Sequence, residues 1–178
     1  MMMIRIALSG VLLATALGFT AKAGSPDSSQ AVRSFVQSFY NSYTALASGI
    51  HDSSPLETIL AKRRSVLSPE LFRALKADDD AQRKVSDDVV GLDFDPFLNT
   101  QEQAGHYTIG RITASQGIYR VEIRERGSSD KLPDVIAEVA REGGNLVFVN
   151  FIYPGNGDLL SVLKTLAQER DRAASPSH

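Results

Sequence analysis

The sequence predicts an α+β fold, with N-terminal helices packed on one face of a curved four-stranded antiparallel sheet and a closing C-terminal helix. Three observations predict it. Apolar residues recur at three- and four-residue steps through the first half. After Gly105 they alternate every second residue, in segments separated by short glycine-containing turns. Near the C-terminus the helical period returns. Helices in a run followed by strands in a run indicate helices segregated to one side of an antiparallel sheet.

The elements follow in order. Ser25-Pro26 reads as an N-cap with proline at the first helical position. Val32, Phe35, Val36, Phe39, Tyr40, Tyr43 and Leu46 then form one wide apolar stripe, and Gly49 supplies a stop. A second helix begins near Pro55 with Leu56, Ile59 and Leu60. Ser68-Pro69 repeats the cap-plus-proline start, with Leu71, Phe72 and Leu75 behind it and a polar continuation from Lys76 to Ser86. Tyr107, Ile109, Arg111 and Thr113 alternate with their neighbours as a first strand. Gln116-Gly117 marks a turn, and Tyr119, Val121, Ile123 and Glu125 form a second strand. Val135, Ala137 and Val139 form a third, and Gly143-Gly144-Asn145 is a hairpin signal. Leu146 to Tyr153 is apolar on both faces apart from Asn150, which predicts a central strand covered on both sides. Asp158 caps a last helix carrying Leu159, Leu160, Val162, Leu163 and Leu166.

Arg5, the apolar run Ile6 to Phe19 and Ala21-Lys22-Ala23 have the order of a secretory signal peptide, cleaved after Ala23. The apolar run is shorter than the roughly 20 residues of a membrane span, and no later span is expected. The expected division is a signal peptide over 1–23, a linker over 24–29, a single α+β domain over 30–168 and a disordered tail over 169–178. The chain has no cysteine, so neither a disulfide nor a lipid anchor on cysteine is available. Two of the 19 basic residues lie in the leader, leaving 17 against 21 acidic residues and a formal charge of −4. That balance excludes a basic nucleic-acid surface and a polybasic patch for anionic lipid.

Several stretches together resemble one bacterial family. They are the helix with Phe35, Phe39 and Tyr40, the Leu67-Ser68-Pro69-Glu70-Leu71 step, the Asp93-Phe94-Asp95-Pro96-Phe97 run with Gln101, and Val147 to Phe151 with Tyr153-Pro154. The family comprises exported proteins catalogued as domain of unknown function 3828. The resemblance covers about Gln30 to Leu166 and implies a cone-shaped, nuclear transport factor 2-like or cystatin-like fold. It implies no activity, because the family has none established and the fold alone decides none.

The stretch Gly91 to Glu102 raises the main site question. In an extended segment Asp93 and Asp95 would share a side, where Asn99, Gln101 or Glu102 could complete a hard-cation site. An EF-hand would need an oxygen ligand at Phe97 and glycine at Leu98, so no metal is expected. The preferred reading is a hinge, with Asp95 opening a turn before Pro96 and the carboxylates holding backbone amides. Tyr40, Tyr43, Asp93, Asp95, Gln101, Arg111 and Asn150 are the pocket candidates. Arg111 is expected to be buried or at the cone's mouth, paired with Asp93 or Asp95. Asn150 is expected either to contact a ligand or to satisfy a helix end or strand bulge, with the second preferred. His51, His106 and His178 offer no zinc spacing, and His51-Asp52 lacks further ligands. No Gly-x-Ser-x-Gly elbow occurs, and Gly155-Asn156-Gly157 reads as a turn before a capped helix, with no dinucleotide loop. Asp78-Asp79-Asp80 and Lys62-Arg63-Arg64 read as solvated helix faces.

These observations favour an exported, periplasmic or secreted, non-catalytic binding or protein-interaction module, its partner a small molecule or an envelope protein. No cofactor is expected. One alternative is a cone-fold enzyme doing proton transfer or dehydration, with Asp93, Asp95 or His106 as the base and a tyrosine or Asn150 polarising the substrate. Another is a structural homodimer built on the open face of the sheet.

Overall fold

A computed structural model describes residues 26–49, 53–85, 88–102, 105–128 and 130–175. The expected signal peptide, His51, Asp52 and His178 lie outside these residues. Among the described residues four α-helices and a five-stranded antiparallel sheet make an α+β fold.

Helix α1 (Pro26–Ala47) turns its apolar stripe inward, so that Val32, Val36, Phe39, Tyr40 and Tyr43 are all buried. Helix α2 (Pro55–Lys62) starts at a capping box in which the Ser54 hydroxyl accepts from the Glu57 amide and the Glu57 carboxylate accepts from the Ser54 amide. A 3-10 turn (Arg64–Val66) leads to α3 (Pro69–Gln82), capped by Ser68 as its sequence predicts. The strands β1 (Tyr107–Ser115), β2 (Ile118–Glu125), β3 (Val135–Glu142), β4 (Asn145–Tyr153) and β5 (Gly157–Asp158) pair in sequential order. Helix α4 (Leu159–Ala174) closes the chain, with the Asp158 carboxylate accepting from the Ser161 amide at its start.

The two tight hairpins fall where turn chemistry places them. Gln116 and Gly117 have φ of 51° and 82°, and Gly143 and Gly144 have 55° and 86°. Two consecutive positive-φ residues make the turn whose twist suits a two-residue hairpin, at some backbone cost for the non-glycine Gln116.

Three expectations need correcting. The sheet has a fifth strand: after the turn at Pro154–Asn156, Gly157 and Asp158 pair back onto Tyr153 and Ile152. Strand β4 is not central. Beyond it lie only the two residues of β5 and a parallel bridge from Leu67 to Phe148, through which the Ser68 amide donates to the Phe148 carbonyl at 2.8 Å. The unbroken apolar run has another cause. The register jumps between Glu138↔Asn150 and Val139↔Phe148, so Val149 is an extra residue and Phe148 and Phe151, three apart, both reach the core. The third correction concerns the termini. Helix α1 already begins at Pro26, inside the expected linker, and α4 continues to Ala174, through most of the expected tail.

The outer edge of β1 is occupied over its first half. Arg33 of α1 donates to the carbonyls of Ile109 at 2.8 Å and Gly110 at 2.9 Å, and Gln37 donates to that of Tyr107 at 3.3 Å. The core between helices and sheet is built largely from rings. Phe39 packs on Tyr43, Phe97 and Phe148 with centroid separations of 5.5, 5.3 and 4.7 Å.

Candidate functional site

Four of the sequence-derived candidates, Tyr43, Asp93, Asp95 and Gln101, line one cleft of about 600 Å³. Its walls are the start of α2, the C-terminal half of α3 and the loop from Val89 to Glu102. The loop is fixed from three sides, and each tether has a chemical cause.

The first tether is aromatic. Phe97 is fully buried and packs against Phe39, Tyr43 and Phe151. Beside it, the Tyr40 hydroxyl donates to the Phe97 carbonyl and the Tyr153 hydroxyl to the Pro96 carbonyl, both at 2.8 Å. A turn brought into an apolar core carries carbonyls that need donors, and tyrosine supplies ring and donor together.

The second tether is Asp95. Its Oδ1 accepts from the amides of Phe97 at 2.9 Å and Leu98 at 3.1 Å, and its Oδ2 accepts from the Tyr43 hydroxyl at 2.8 Å. Its backbone pairs with Thr100 in an antiparallel bridge, so the segment turns back on itself and is not extended. Burial raises the Asp95 pKa, and the three hydrogen bonds oppose that rise. Burial, and next to it the Asp95 charge, also raise Tyr40 and Tyr43 well above the usual phenol value.

The third tether is a set of polar side chains on α3. Gln82 accepts from the amides of Val90 at 3.0 Å and Gly91 at 3.1 Å and donates to the Asp88 carbonyl at 3.0 Å. Asp78 accepts from the Leu92 amide at 2.9 Å and, through its other oxygen, from Arg170 of α4 at 2.7 Å. Arg170 also donates to the Val90 carbonyl at 2.7 Å. The fit is close: a Cβ on Gly91 would stand 2.8 Å from Asp78 Oδ2. Asp78 is only 4% exposed, which corrects the reading of the three consecutive aspartates as a solvated face. Asp80 does face outward, paired with Lys76, while Asp79 is largely covered and pairs with Arg83 beside the cleft.

The remaining candidates lie elsewhere. Arg111 does not meet either aspartate: its side chain is 75% exposed and binds Glu122 at 2.7 Å. A bulge between Ile109 and Ile112 is the reason, because it sets two residues of β1 against Glu122 and turns Arg111 outward while Ile112 turns in. His106 is exposed and does not line the cleft. Asp93 is exposed, and its carbonyl accepts from Gln101 at 3.2 Å. With Asp95 committed to the turn, the two aspartates do not act as a pair. Among the described residues no group of three His, Cys, Asp or Glu side chains is placed to hold a metal ion. Asn150 takes the structural role. It donates to Asp158 at 2.9 Å and accepts from the amides of Phe151 and, at the first turn of α4, Leu160. It stands beside the bulge at Val149, so it serves the bulge and the helix end together.

No family model, curated protein or solved structure matches the chain.

Replacing Asp95 tests the second tether. Asp95→Ala strips acceptors from the Tyr43 hydroxyl and two amides. Unmet buried donors cost on the order of 1–3 kcal/mol each, partly relieved by relaxation, so the expected loss is about 3 kcal/mol. Asp95→Asn keeps an oxygen for both amides and should lose less than half as much. Urea unfolding of the two variants measures this. Equal losses would mean that the two amide bonds contribute nothing and that the bond from Tyr43 carries the whole effect.

Proposed function

We propose that the protein is an exported, periplasmic, non-catalytic binding module of the bacterial envelope, related to the exported family it resembles and built on a nuclear transport factor 2-like cone. The observation that carries this reading is the state of Asp95, the most buried of the proposed bases. Both carboxylate oxygens are engaged by the turn and by Tyr43, and the neighbouring interior is filled by Phe39, Phe97 and Phe151. Three of the roughly four acceptor sites of that carboxylate are thus spent on structure, and His106 is exposed and does not join Asp95 as a second base. What stays open next to the loop is a concave cleft with an apolar floor. Its volume, about 600 Å³, falls in the range of small-ligand sites, roughly 300–1,000 Å³.

Native mass spectrometry of the protein released from its own periplasm tests the reading. The expected spectrum is a chain beginning at Gly24 that carries a retained ligand or partner. A chain that still begins at Met1, or one that stays bare at every activation energy, would overturn it.

A further inference from the structure

We propose that the cleft beside the Val89–Glu102 loop takes a small amphipathic organic cation, an amine or guanidine carried on a ring or short apolar chain. The proposal names the ligand class for the binding module argued above and rests on that reading. Two independent properties of the cleft select the ligand.

The first is its floor. Leu56, Leu92, Phe94 and Pro96 line it, and Val89, 65% exposed, stands at the mouth. An exposed valine beside half-buried leucine and phenylalanine is apolar surface that a ligand can remove from water.

The second is charge. The lining residues include six carboxylates and one guanidinium, that of Arg83. Arg83 is shared between Glu57 at 2.6 Å and Asp79 at 3.0 Å, so one positive charge serves two negative ones. Asp78 is neutralised from outside the cleft by Arg170. Asp93 and Glu102 are exposed and have no ion-pair partner among the described residues. An anion brought to the apolar floor would meet uncompensated negative charge, whereas a cation completes the pairing. A bare metal ion would use neither the floor nor, lacking three convergent ligands among the described residues, the carboxylates.

Titration of the isotope-labelled full chain, followed by amide NMR, separates these contributions. The probes are phenethylamine, a cation with a ring, phenylacetate, an anion with the same ring, and putrescine, a cation with little apolar surface. Phenethylamine should shift the amides of Leu92, Phe94 and Thr100 saturably, less so as salt rises. The two other probes should bind at least about tenfold more weakly. Asp93→Asn with Glu102→Gln removes the two exposed unpaired charges and should weaken phenethylamine about tenfold, with the melting temperature unchanged. If phenylacetate binds as tightly at the same amides, the cation proposal falls while the binding-module reading stands. If putrescine equals phenethylamine, the apolar part of the proposal falls. If no probe moves the cleft amides and the native spectrum is bare, both fall.

Discussion

Raised above pH 10, the protein should unfold in one cooperative step coupled to the ionisation of Tyr40, Tyr43 and Tyr153. Their hydroxyls are buried donors, to the Phe97 carbonyl, to Asp95 and to the Pro96 carbonyl. Burial is the main cause that raises all three pKa values, and the Asp95 charge adds to it in each. The sign follows from proton linkage. A folded-state pKa above the unfolded one means that the native state holds protons that the unfolded chain releases near pH 10. Stability is therefore fully present below pH 10 and falls as pH rises from there towards the raised values. Each such group contributes a slope of about 1.4 kcal/mol per pH unit, so three contribute about 4 kcal/mol per unit. A domain stabilised by about 5–15 kcal/mol cannot survive far into that range. Tyrosinate absorbance and far-ultraviolet circular dichroism should change together, at one midpoint. Absorbance that rises gradually, well before the dichroism is lost, would show that these hydroxyls titrate in the folded state. Tyr43→Phe should make the loss of stability less steep in pH, because it removes one of the linked protons.

Arg170→Ala should be the most damaging single substitution outside the aromatic core, at about 4 kcal/mol. Asp78 has a side chain only 5% exposed, and without Arg170 its carboxylate keeps the Leu92 amide alone. Removing one partner of a buried pair leaves an uncompensated charge, which typically costs about 3–5 kcal/mol. Val90 loses its donor as well. The double variant Asp78→Ala with Arg170→Ala should be more stable than the sum of the two single losses requires, since no charge is then stranded. Urea unfolding of the three variants decides this. A single-variant loss below about 0.5 kcal/mol, the scale of ordinary surface changes, would mean that the pair is solvated in solution.

Features governed by short-range rules were legible in the sequence. The caps at Ser68 and Asp158, the hairpins at Gln116-Gly117 and Gly143-Gly144, and the stripe of α1 all follow from residues within a turn or two of one another. So did the turn role of Asp95, because an aspartate before proline bonds amides two and three positions ahead. What escaped depends on residues far apart or on a break in periodicity. Asp78 and Arg170 are 92 positions apart, and the tyrosines that hold the loop are 52 and 57 positions from their acceptors. One signal did exist. Asp78 and Gln82 continue the Leu71–Leu75 stripe at steps of three and four, which places polar side chains on the buried side of α3. The two bulges misled in opposite ways. The one in β1 moved Arg111 from the expected inward row to the outward one, and the one in β4 made a near-edge strand resemble a central one.

The bonds from Arg33 and Gln37 to the first strand bear on how the protein behaves when concentrated. A strand edge with free carbonyls is a template on which another copy can add, and repeated addition builds fibrils. Here the carbonyls of Tyr107, Ile109 and Gly110 are already taken by α1, and the opposite margin ends in a strand of two residues. The first half of one margin is thus shielded by α1 and the other margin is two residues long, which shortens the ladder on which a second copy could add.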